Sequence, residues 1–284
     1  MRYFIDPFGC VKNQVDAENM MAFLNNAGWS AVGDAGDADL VIVNSCGFIE
    51  SAKQESINAV LAWRKLYPGK KILLAGCLAQ RYAKELAESL PEADGFFGTG
   101  DIPAIAETAL RITGSGNAAT SADGPMVKKP KKSAVNPGGR PLLSLPGSAY
   151  VKISEGCDNR CTFCAIPLIR GGLRSRAITE ITGECRTLLD RGTRELCIIG
   201  QDTGSFGRDN VDGPAAVKTA VSKLPDLLEA LAALEGHFWV RLLYIHPDNF
   251  PFPILDIMER DPRFLPYFDI PFQHASSKIL AAMN

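Results

Sequence analysis

The chain has 284 residues, which is enough for two domains of ordinary size, each with its own apolar core. Its 30 basic and 32 acidic side chains nearly balance, so the composition provides no overall positive charge for binding nucleic acid. No apolar run reaches the roughly 18 residues of a membrane span, and the start MRYFIDPFGC lacks the regions of a signal peptide, which predicts a cytoplasmic protein without membrane contact.

The first part of the chain alternates strand and helix patterns. Two apolar helical faces run from Ala17 to Ala27, closed by Gly28, and from Ile57 to Ala62. Alternation of this kind predicts an α/β domain over residues 1–112, with a parallel sheet covered by helices on both faces. Short apolar runs that end in Gly, Ser or Thr predict its strands: YFIDPFG (3–9), LVIVNS (40–45), KILLAG (71–76) and DGFFGT (94–99).

Residues 113–148 differ in composition from the segments on either side. They are rich in Gly, Pro, Ser and Lys and show little apolar periodicity, which predicts a flexible linker. The run KKPKK at 128–132 is interpreted as a solvated charge cluster, and contact with RNA or a ribosomal surface is the alternative.

After the linker the alternation resumes, and it predicts a second β/α domain over residues 149–284, a barrel or part of one. The final SSKILAAMN begins an amphipathic helix without a stop signal, so we expect the chain to be cut short within this domain. The predicted strands are AYVKISEG (149–156), ELCIIG (195–200), WVRLLYI (239–245) and YFDIPFQ (267–273), and the predicted helices span 178–189, 223–234 and 254–260.

Cysteine is the most informative residue type in this sequence. In reducing cytosol, cysteines indicate metal binding or catalysis more often than a disulfide framework. The eight cysteines are at positions 10, 46, 77, 157, 161, 164, 185 and 197.

Three cysteines lie close together in EGCDNRCTFCAIPLIRG, directly after the first strand of the second domain. Cys157, Cys161 and Cys164 form C-x3-C-x2-C, and three thiolates on one loop suit three corners of a [4Fe-4S] cluster whose fourth iron stays open. Structural zinc is the alternative, but it needs a second ligand pair. Downstream remain only Cys185 and Cys197, at apolar positions typical of core residues.

The other three cysteines are far apart in sequence. Cys10, Cys46 and Cys77 each lie at or just past the carboxyl end of a predicted strand. In a parallel sheet those ends share one edge, where ligands of open α/β folds bind, so the three could converge on a second cluster. Three buried structural cysteines are the alternative.

The cysteine loop, with aromatic Phe163 before its last cysteine, resembles the radical S-adenosylmethionine superfamily. The resemblance implies that the open iron binds S-adenosylmethionine. One electron from the reduced cluster then cleaves the sulfonium bond and leaves a 5′-deoxyadenosyl radical, which removes hydrogen from an unactivated carbon.

The segments GCVKNQVDAENM, VNSCGFIESAKQESI and AGCLAQRY, together with that loop, resemble the methylthiotransferases. The similarity runs from residue 2 almost to residue 284. It implies that Cys10, Cys46 and Cys77 hold an auxiliary [4Fe-4S] cluster whose open iron carries the sulfur to be donated. Asn13 and Asn44 belong to the same motifs, but the sequence indicates no chemical role for either.

Finer motifs suggest the substrate. IIGQDTGSFG, with Asp202, and DIPFQHAS resemble the branch that modifies the β-carbon of an aspartate in small-subunit ribosomal protein twelve. That resemblance implies this ribosomal protein as partner and an electron donor such as flavodoxin or ferredoxin. It also leads us to expect that the family's C-terminal substrate-binding β-barrel domain is absent here.

Two alternatives to this function remain. A methylthiotransferase acting on an adenosine next to the transfer-RNA anticodon would more usually have Asn in the place of Asp202. An iron-sulfur electron-transfer or scaffold protein would hold clusters without cleaving S-adenosylmethionine.

Several polar residues near the second domain's strand ends are candidates for further roles. Guanidinium groups match carboxylates, and a polar residue that ends a strand lies on the functional edge of a β/α domain. His246 and His274 also follow strands, but nothing nearby completes a metal or nucleophile set, so structural roles are expected. The candidate cofactor contacts are Arg174, Arg176, Glu184 and Gln201.

Overall fold

The computed structural model describes residues 1–114, 127–128, 137–210 and 220–283, which divide into two compact units. The first unit holds the described residues of Met1–Lys131 and Val135–Leu143 together with Leu168–Arg170. The second holds Ser144–Pro167 and the described residues of Gly171–Asn284. Within the described ranges, no helix has the length and apolar character needed to cross a membrane.

The first unit is built on a five-stranded parallel sheet, as the strand-helix alternation predicted. Its strand order is β2-β1-β3-β4-β5. The predicted bounds of β3 and β4 agree with those observed. The strands are β1 (Arg2–Pro7), β2 (Ser30–Ala31), β3 (Leu40–Ser45), β4 (Lys71–Gly76) and β5 (Gly95–Phe97).

Four helices cover the two faces of this sheet: α1 (Val11–Asn26), α2 (Glu50–Leu66), α3 (Cys77–Ser89) and α4 (Ile105–Gly114). Alternate strand residues point to opposite faces, so Leu40 and Ile42 pack in one apolar cluster while Val41 and Val43 pack in the other. The first cluster includes residues of α1 and α4, and the second includes residues of α2 and α3.

Most of the predicted linker, 113–148, lies outside the described residues, including nearly all of KKPKK. In the described part, Lys128 pairs with Asp101 at 3.0 Å. Arg140 is buried and forms an ion pair with the fully buried Glu18 of α1, which also accepts a hydrogen bond from the Leu143 backbone at 2.8 Å. Part of the predicted linker is therefore anchored to the first unit.

The second unit contains a four-stranded parallel sheet of order β11-β10-β9-β6 and a short antiparallel pair, β7 and β8. The four strands of the larger sheet lie side by side in chain order, which is typical of a β/α arrangement; β7 and β8, between β6 and β9 in sequence, form the separate pair. The strands are β6 (Ser148–Lys152), β7 (Ser154–Glu155), β8 (Arg174–Ser175), β9 (Glu195–Ile199), β10 (Trp239–Leu242) and β11 (Phe264–Phe268). The helix α5 (Ile166–Arg170) begins in this unit, and its residues Leu168–Arg170 belong to the first unit. The other helices are α6 (Ile178–Asp190), α7 (Leu224–Ala232), α8 (Ile254–Arg260) and α9 (Ser277–Met283).

The last predicted strand, at 267–273, is misplaced. The observed β11 begins at Phe264, which is buried and pairs with Val240 of β10. Beyond Phe268 the chain leaves the sheet: Pro271 has no N–H for a ladder, and Phe272 is 72% exposed. The apolar run at 267–273 therefore reflects exposed residues and not a buried strand.

Candidate functional site

The sheet of the first unit changes direction between β1 and β3. From β1 the chain continues to β2 on one side, whereas β3 lies on the other side. In open parallel sheets, a crevice forms outside the carboxyl ends of the strands at such a switch point. Cys10 follows β1, Cys46 follows β3, and Cys77 follows β4, the next strand in the sheet. The three sequence-distant cysteines thus follow three adjacent strand ends.

Two glycines show how closely these three loops approach one another. Gly9 has φ +91°, and a Cβ there would lie 2.9 Å from Cys46 Cβ and 3.4 Å from Cys46 Sγ. A Cβ on Gly47 would lie 2.6 Å from the Cys77 carbonyl oxygen. Because a side chain at either glycine would force the loops apart, the sequence pairs Gly9–Cys10 and Cys46–Gly47 serve to bring the cysteines together.

The exposure of these cysteines does not fit three buried core residues. All three are free thiols, but Cys10 is exposed, Cys46 is partly exposed and only Cys77 is buried. Cys10 is the N-cap of α1 and Cys77 is the first residue of α3. The free N–H groups at helix N-termini favour negative charge, which suits thiolates that share an anionic cluster.

Asn13 and Asn44 connect the strand ends that carry the cysteines. Asn13 Nδ2 donates to the carbonyl oxygens of Phe8 at 2.7 Å and Ser45 at 3.0 Å, and Asn13 Oδ1 accepts from Cys77 Sγ at 3.7 Å. Asn44 Nδ2 donates to the Asn13 carbonyl at 2.7 Å. These amides therefore fix the cysteine loops, a role that only the spatial arrangement reveals.

Cys77 is also in contact with a buried charge pair that the sequence did not indicate. Arg170 Nη2 lies 3.3 Å from Cys77 Sγ and 2.8 Å from Asp16 Oδ2. Burial raises the pKa of the Cys77 thiol to about 11, with the Arg170 charge opposing that shift. A raised pKa favours the protonated thiol at neutral pH, whereas a metal ion would favour the thiolate.

The second set of cysteines lies on the loop that follows β7, within the second unit. Cys157, Cys161 and Cys164 are free and partly exposed. Cys164 N donates to the Cys161 carbonyl at 3.0 Å, and Cys157 N donates to the Gly171 carbonyl at 3.2 Å. The pKa of the Cys157 thiol is raised to about 12, mainly by burial and in part by the charges of Asp202, Cys164 and Cys161, while a backbone hydrogen bond at Asn159 opposes the shift. The three sulfurs thus lie near enough to influence one another electrostatically.

Asp202 is the centre of a hydrogen-bond network that holds this loop. It is 2% exposed, and its two carboxylate oxygens accept five hydrogen bonds. One donor is Asn159, between Cys157 and Cys161, and Asn249 also donates to Asn159 Oδ1 at 2.9 Å. The five donors are Asn159 Nδ2 (2.9 Å), Asn249 Nδ2 (2.6 Å), Ser205 Oγ (2.7 Å), Gly204 N (3.1 Å) and His246 N (3.1 Å). The sequence indicated Asp202 only as a marker of substrate branch.

The four predicted cofactor contacts have different surroundings. Arg176 and Glu184 are buried and pair with each other at 2.6 Å, while Arg176 Nη1 also donates to the Lys152 carbonyl at 2.8 Å. Arg174 Nη1 donates to the Gly172 carbonyl at 3.0 Å.

Gln201 lies two residues past the end of β9, and its Oε1 is buried without a hydrogen-bond partner among the described residues. Of the four, Gln201 thus offers an unused acceptor.

The two histidines make local contacts. His246 Nδ1 accepts from the Asp248 backbone at 3.4 Å, and His274 Nδ1 accepts from the Ser276 backbone at 2.9 Å. Both contacts lie within local turns, and the structural role of each histidine stays a prediction.

Neither cysteine set is arranged around a single ion. In the described part of the chain, no three Cys, His, Asp or Glu side chains are gathered to hold one metal. A zinc site requires its ligand atoms within about 2.0–2.3 Å of one ion. In a [4Fe-4S] cluster each cysteine binds a different iron at a different corner, so its ligands lie farther apart. Cluster binding therefore does not require the single-ion geometry that a zinc site requires.

The fold is similar to that of two solved structures. The chain is similar to the radical S-adenosylmethionine methyltransferase TsrM from Kitasatospora setae, with a TM-score of 0.63 and 13% sequence identity. The match covers 99% of this chain and 61% of the TsrM chain. A second TsrM structure, with cobalamin and a [4Fe-4S] cluster bound, gives a TM-score of 0.62. The chain therefore shares its fold with these two TsrM structures.

Sequence comparison finds relatives that match nearly the whole chain. Residues 2–98 match the family model described as uncharacterized protein family UPF0004. The ribosomal protein uS12 methylthiotransferase RimO of Treponema denticola is 48% identical over 286 residues, which are 99% of this chain and 60% of that protein. RimO of Syntrophomonas wolfei is 44% identical over 279 residues, again 60% of its length. RimO of Clostridioides difficile is 38% identical over 288 residues, 62% of its length. The chain is similar to these methylthiotransferases over nearly its whole length and spans about three fifths of theirs.

Proposed function

We propose that this chain carries both iron-sulfur clusters of a radical S-adenosylmethionine methylthiotransferase acting on an aspartate of ribosomal protein uS12. Cys10, Cys46 and Cys77 hold the auxiliary [4Fe-4S] cluster. The radical cluster is held by the cysteines of the C-x3-C-x2-C loop, Cys157, Cys161 and Cys164. Similarity to relatives named RimO over 97–100% of this chain supports the choice of uS12 over transfer RNA.

One observation carries the two-cluster proposal. Three cysteines separated by thirty or more residues follow adjacent strand ends, and their loops are in contact through Gly9 and Gly47. Cysteines that only fill a core do not require such converging loops. Cys185 and Cys197, for example, are buried without this arrangement. A second set of three cysteines occupies the other unit.

The substrate atom explains why such chemistry is needed. The β-carbon of an aspartate has no leaving group, and the adjacent carboxylate makes proton removal still harder, so acid-base or nucleophilic catalysis has little effect there. The bound clusters and S-adenosylmethionine supply hydrogen-atom abstraction and the methylthio group.

The chain's own residues hold and orient the reacting groups. Asp202 and Asn159 fix the loop of the radical cluster, and Asn13 and Asn44 fix the loops of the auxiliary one. We further propose that Gln201 Oε1 accepts a hydrogen bond from S-adenosylmethionine, because this buried oxygen lacks a protein partner among the described residues.

The remaining three predicted contacts take less direct roles. The Arg176–Glu184 pair has an indirect role. Arg176 donates a hydrogen bond to the Lys152 carbonyl and so holds the end of β6 in place, while Glu184 pairs with Arg176. Arg174 meets a carboxylate of the cofactor or the substrate.

Iron analysis tests the two clusters. Protein reconstituted anaerobically with iron and sulfide should contain about eight iron per chain, and Cys10→Ala should reduce this to about four. Cys185→Ala, a change at a buried core cysteine, is the matched control and should retain the full iron content. About four iron in the wild-type protein, unaffected by Cys10→Ala, would remove the auxiliary cluster and the methylthio reaction with it.

Mass spectrometry tests the substrate. In a strain from which the gene is deleted, uS12 should lose the added methylthio mass while bulk transfer RNA stays unchanged. The reverse result would establish the transfer-RNA alternative.

Cleavage of S-adenosylmethionine separates an enzyme from an electron-transfer protein. The protein reduced by flavodoxin or ferredoxin, the electron donors proposed here, should release 5′-deoxyadenosine. A parallel reaction with a chemical reductant shows whether a missing product is due to the choice of electron donor. If neither reductant gives 5′-deoxyadenosine, the result supports the electron-transfer or scaffold alternative.

A further inference from the structure

A buried guanidinium contacts one of the three strand-end cysteines of the first unit. Arg170 is 3% exposed and belongs to the first unit with Leu168 and Ile169. Its Nη2 lies 3.3 Å from Cys77 Sγ, and the same nitrogen donates to Asp16 Oδ2 at 2.8 Å. Asp16 is 1% exposed.

Burial of the Arg170–Asp16 pair costs free energy that the fold must offset. An ion pair in a protein interior loses its hydration, and apolar residues of similar volume are often as stabilising or more so. The fold therefore does not require Arg170 and Asp16 for stability alone. What an apolar pair would lack is an N–H directed at the Cys77 sulfur.

The side-chain types suit that task. A guanidinium presents its N–H groups in a rigid planar fork, so one carboxylate contact fixes the direction of the whole group. Asp16 thus orients the guanidinium toward Cys77, and its negative charge offsets that of Arg170. The contact to sulfur is directional and leaves little net charge in the site.

We propose that Arg170 is a positioning residue of the auxiliary cluster, whose N–H···S hydrogen bond to Cys77 raises the reduction potential of that cluster. This rests on the proposed function, because it requires Cys77 to be a cluster ligand. Hydrogen bonds to cluster sulfurs stabilise the reduced, more negative form, and they are among the factors that set such potentials.

The test measures the auxiliary cluster alone. In a protein with Cys157, Cys161 and Cys164 all changed to Ala, the remaining cluster is titrated with reductant and followed by electron paramagnetic resonance. Arg170→Gln should lower its reduction equilibrium constant at least tenfold, which corresponds to about 59 mV for one electron. Arg170→Lys retains a donor but not the fork, and should give a smaller decrease.

A matched control separates this effect from general destabilisation. Arg64 pairs with Asp94 at 2.5 Å in the same unit, and none of its hydrogen bonds involves a cysteine. Arg64→Gln also breaks an Arg–Asp pair, and it should leave the potential of the cluster unchanged.

Each outcome either supports or overturns the role proposed for Arg170. An unchanged potential in Arg170→Gln, with iron content retained, overturns the proposal. If Arg170→Gln does not retain iron, the potential of Arg170→Lys is decisive: a lower value supports the role and an unchanged value overturns it. If the parent protein with the three alanines binds no iron, the auxiliary cluster itself is refuted, which is a failure of the proposed function.

Discussion

At the scale of single residues, the loops that carry Cys10, Cys46 and Cys77 are held by side chains that are distant in the sequence. A thiol at a strand end is visible in sequence, because strand patterns and ligand chemistry are both local. The role of Asn13 depends on Phe8, Ser45 and Cys77, which meet only in the folded sheet. Arg170 is 93 positions from Cys77, so no local pattern connects them.

Gly9 gives a test at this scale. In Gly9→Ala, a residue with φ +91° acquires a Cβ 2.9 Å from Cys46 Cβ, so the loops of Cys10 and Cys46 must separate. The strain costs about 1–3 kcal/mol. We expect iron per chain to fall from about eight toward about four as the auxiliary cluster is lost.

The control for this change is another glycine of the same unit. Gly33 has no atom within 4 Å of an added Cβ, and Gly33→Ala should keep its full iron content. Equal iron in the two variants would mean that the close approach at Gly9 has no part in cluster binding.

At the scale of elements, the sequence predicts the bounds of a strand best where a single residue pattern marks the whole strand. The bounds of β3 and β4 follow from continuous apolar runs, which are typical of strands buried on both faces. The helices α3 and α4 were not predicted. The strand at 267–273 was misplaced because exposed aromatic residues there resemble a buried run. Strand order is set by tertiary packing, and no run of residues encodes it.

The loop that carries Cys157 and Cys161 gives a test at the element scale. Asp202→Asn places an NH₂ group against at least two N–H or O–H donors, and each unsatisfied buried group costs about 1–3 kcal/mol. The loop should loosen at Asn159. We expect lower iron retention at the radical cluster and less 5′-deoxyadenosine per chain, measured after anaerobic reconstitution.

Asp209→Asn is the same chemical change nearby and serves as the control. Asp209 Oδ2 accepts from the Ser175 backbone at 2.8 Å, whereas its Oδ1 has no partner among the described residues, so an amide can replace it with little loss. If Asp209→Asn reduces iron as much as Asp202→Asn does, the network around Asp202 has no special part in holding the loop.

At the scale of the whole molecule, the fold class was the most predictable property. Alternation of strands and helices requires parallel sheets, and both larger sheets are parallel. Cys10, Cys46 and Cys77 lie in the first compact unit, and Cys157, Cys161 and Cys164 lie in the second. Each cluster should therefore stabilise its own unit, because a group that binds only the folded state shifts that unit's unfolding equilibrium.

Hydrogen exchange followed by mass spectrometry tests this assignment. Cluster loading should slow exchange in peptides from both units, most strongly at the strand ends that precede the cysteines, because local opening there separates the ligands. Changing Cys157, Cys161 and Cys164 together to Ala should abolish the protection in β6 and β9 and preserve it in β1, β3 and β4. The corresponding triple change at Cys10, Cys46 and Cys77 should give the opposite pattern. Loss of protection throughout the chain in either variant would contradict the assignment of one cluster to each unit.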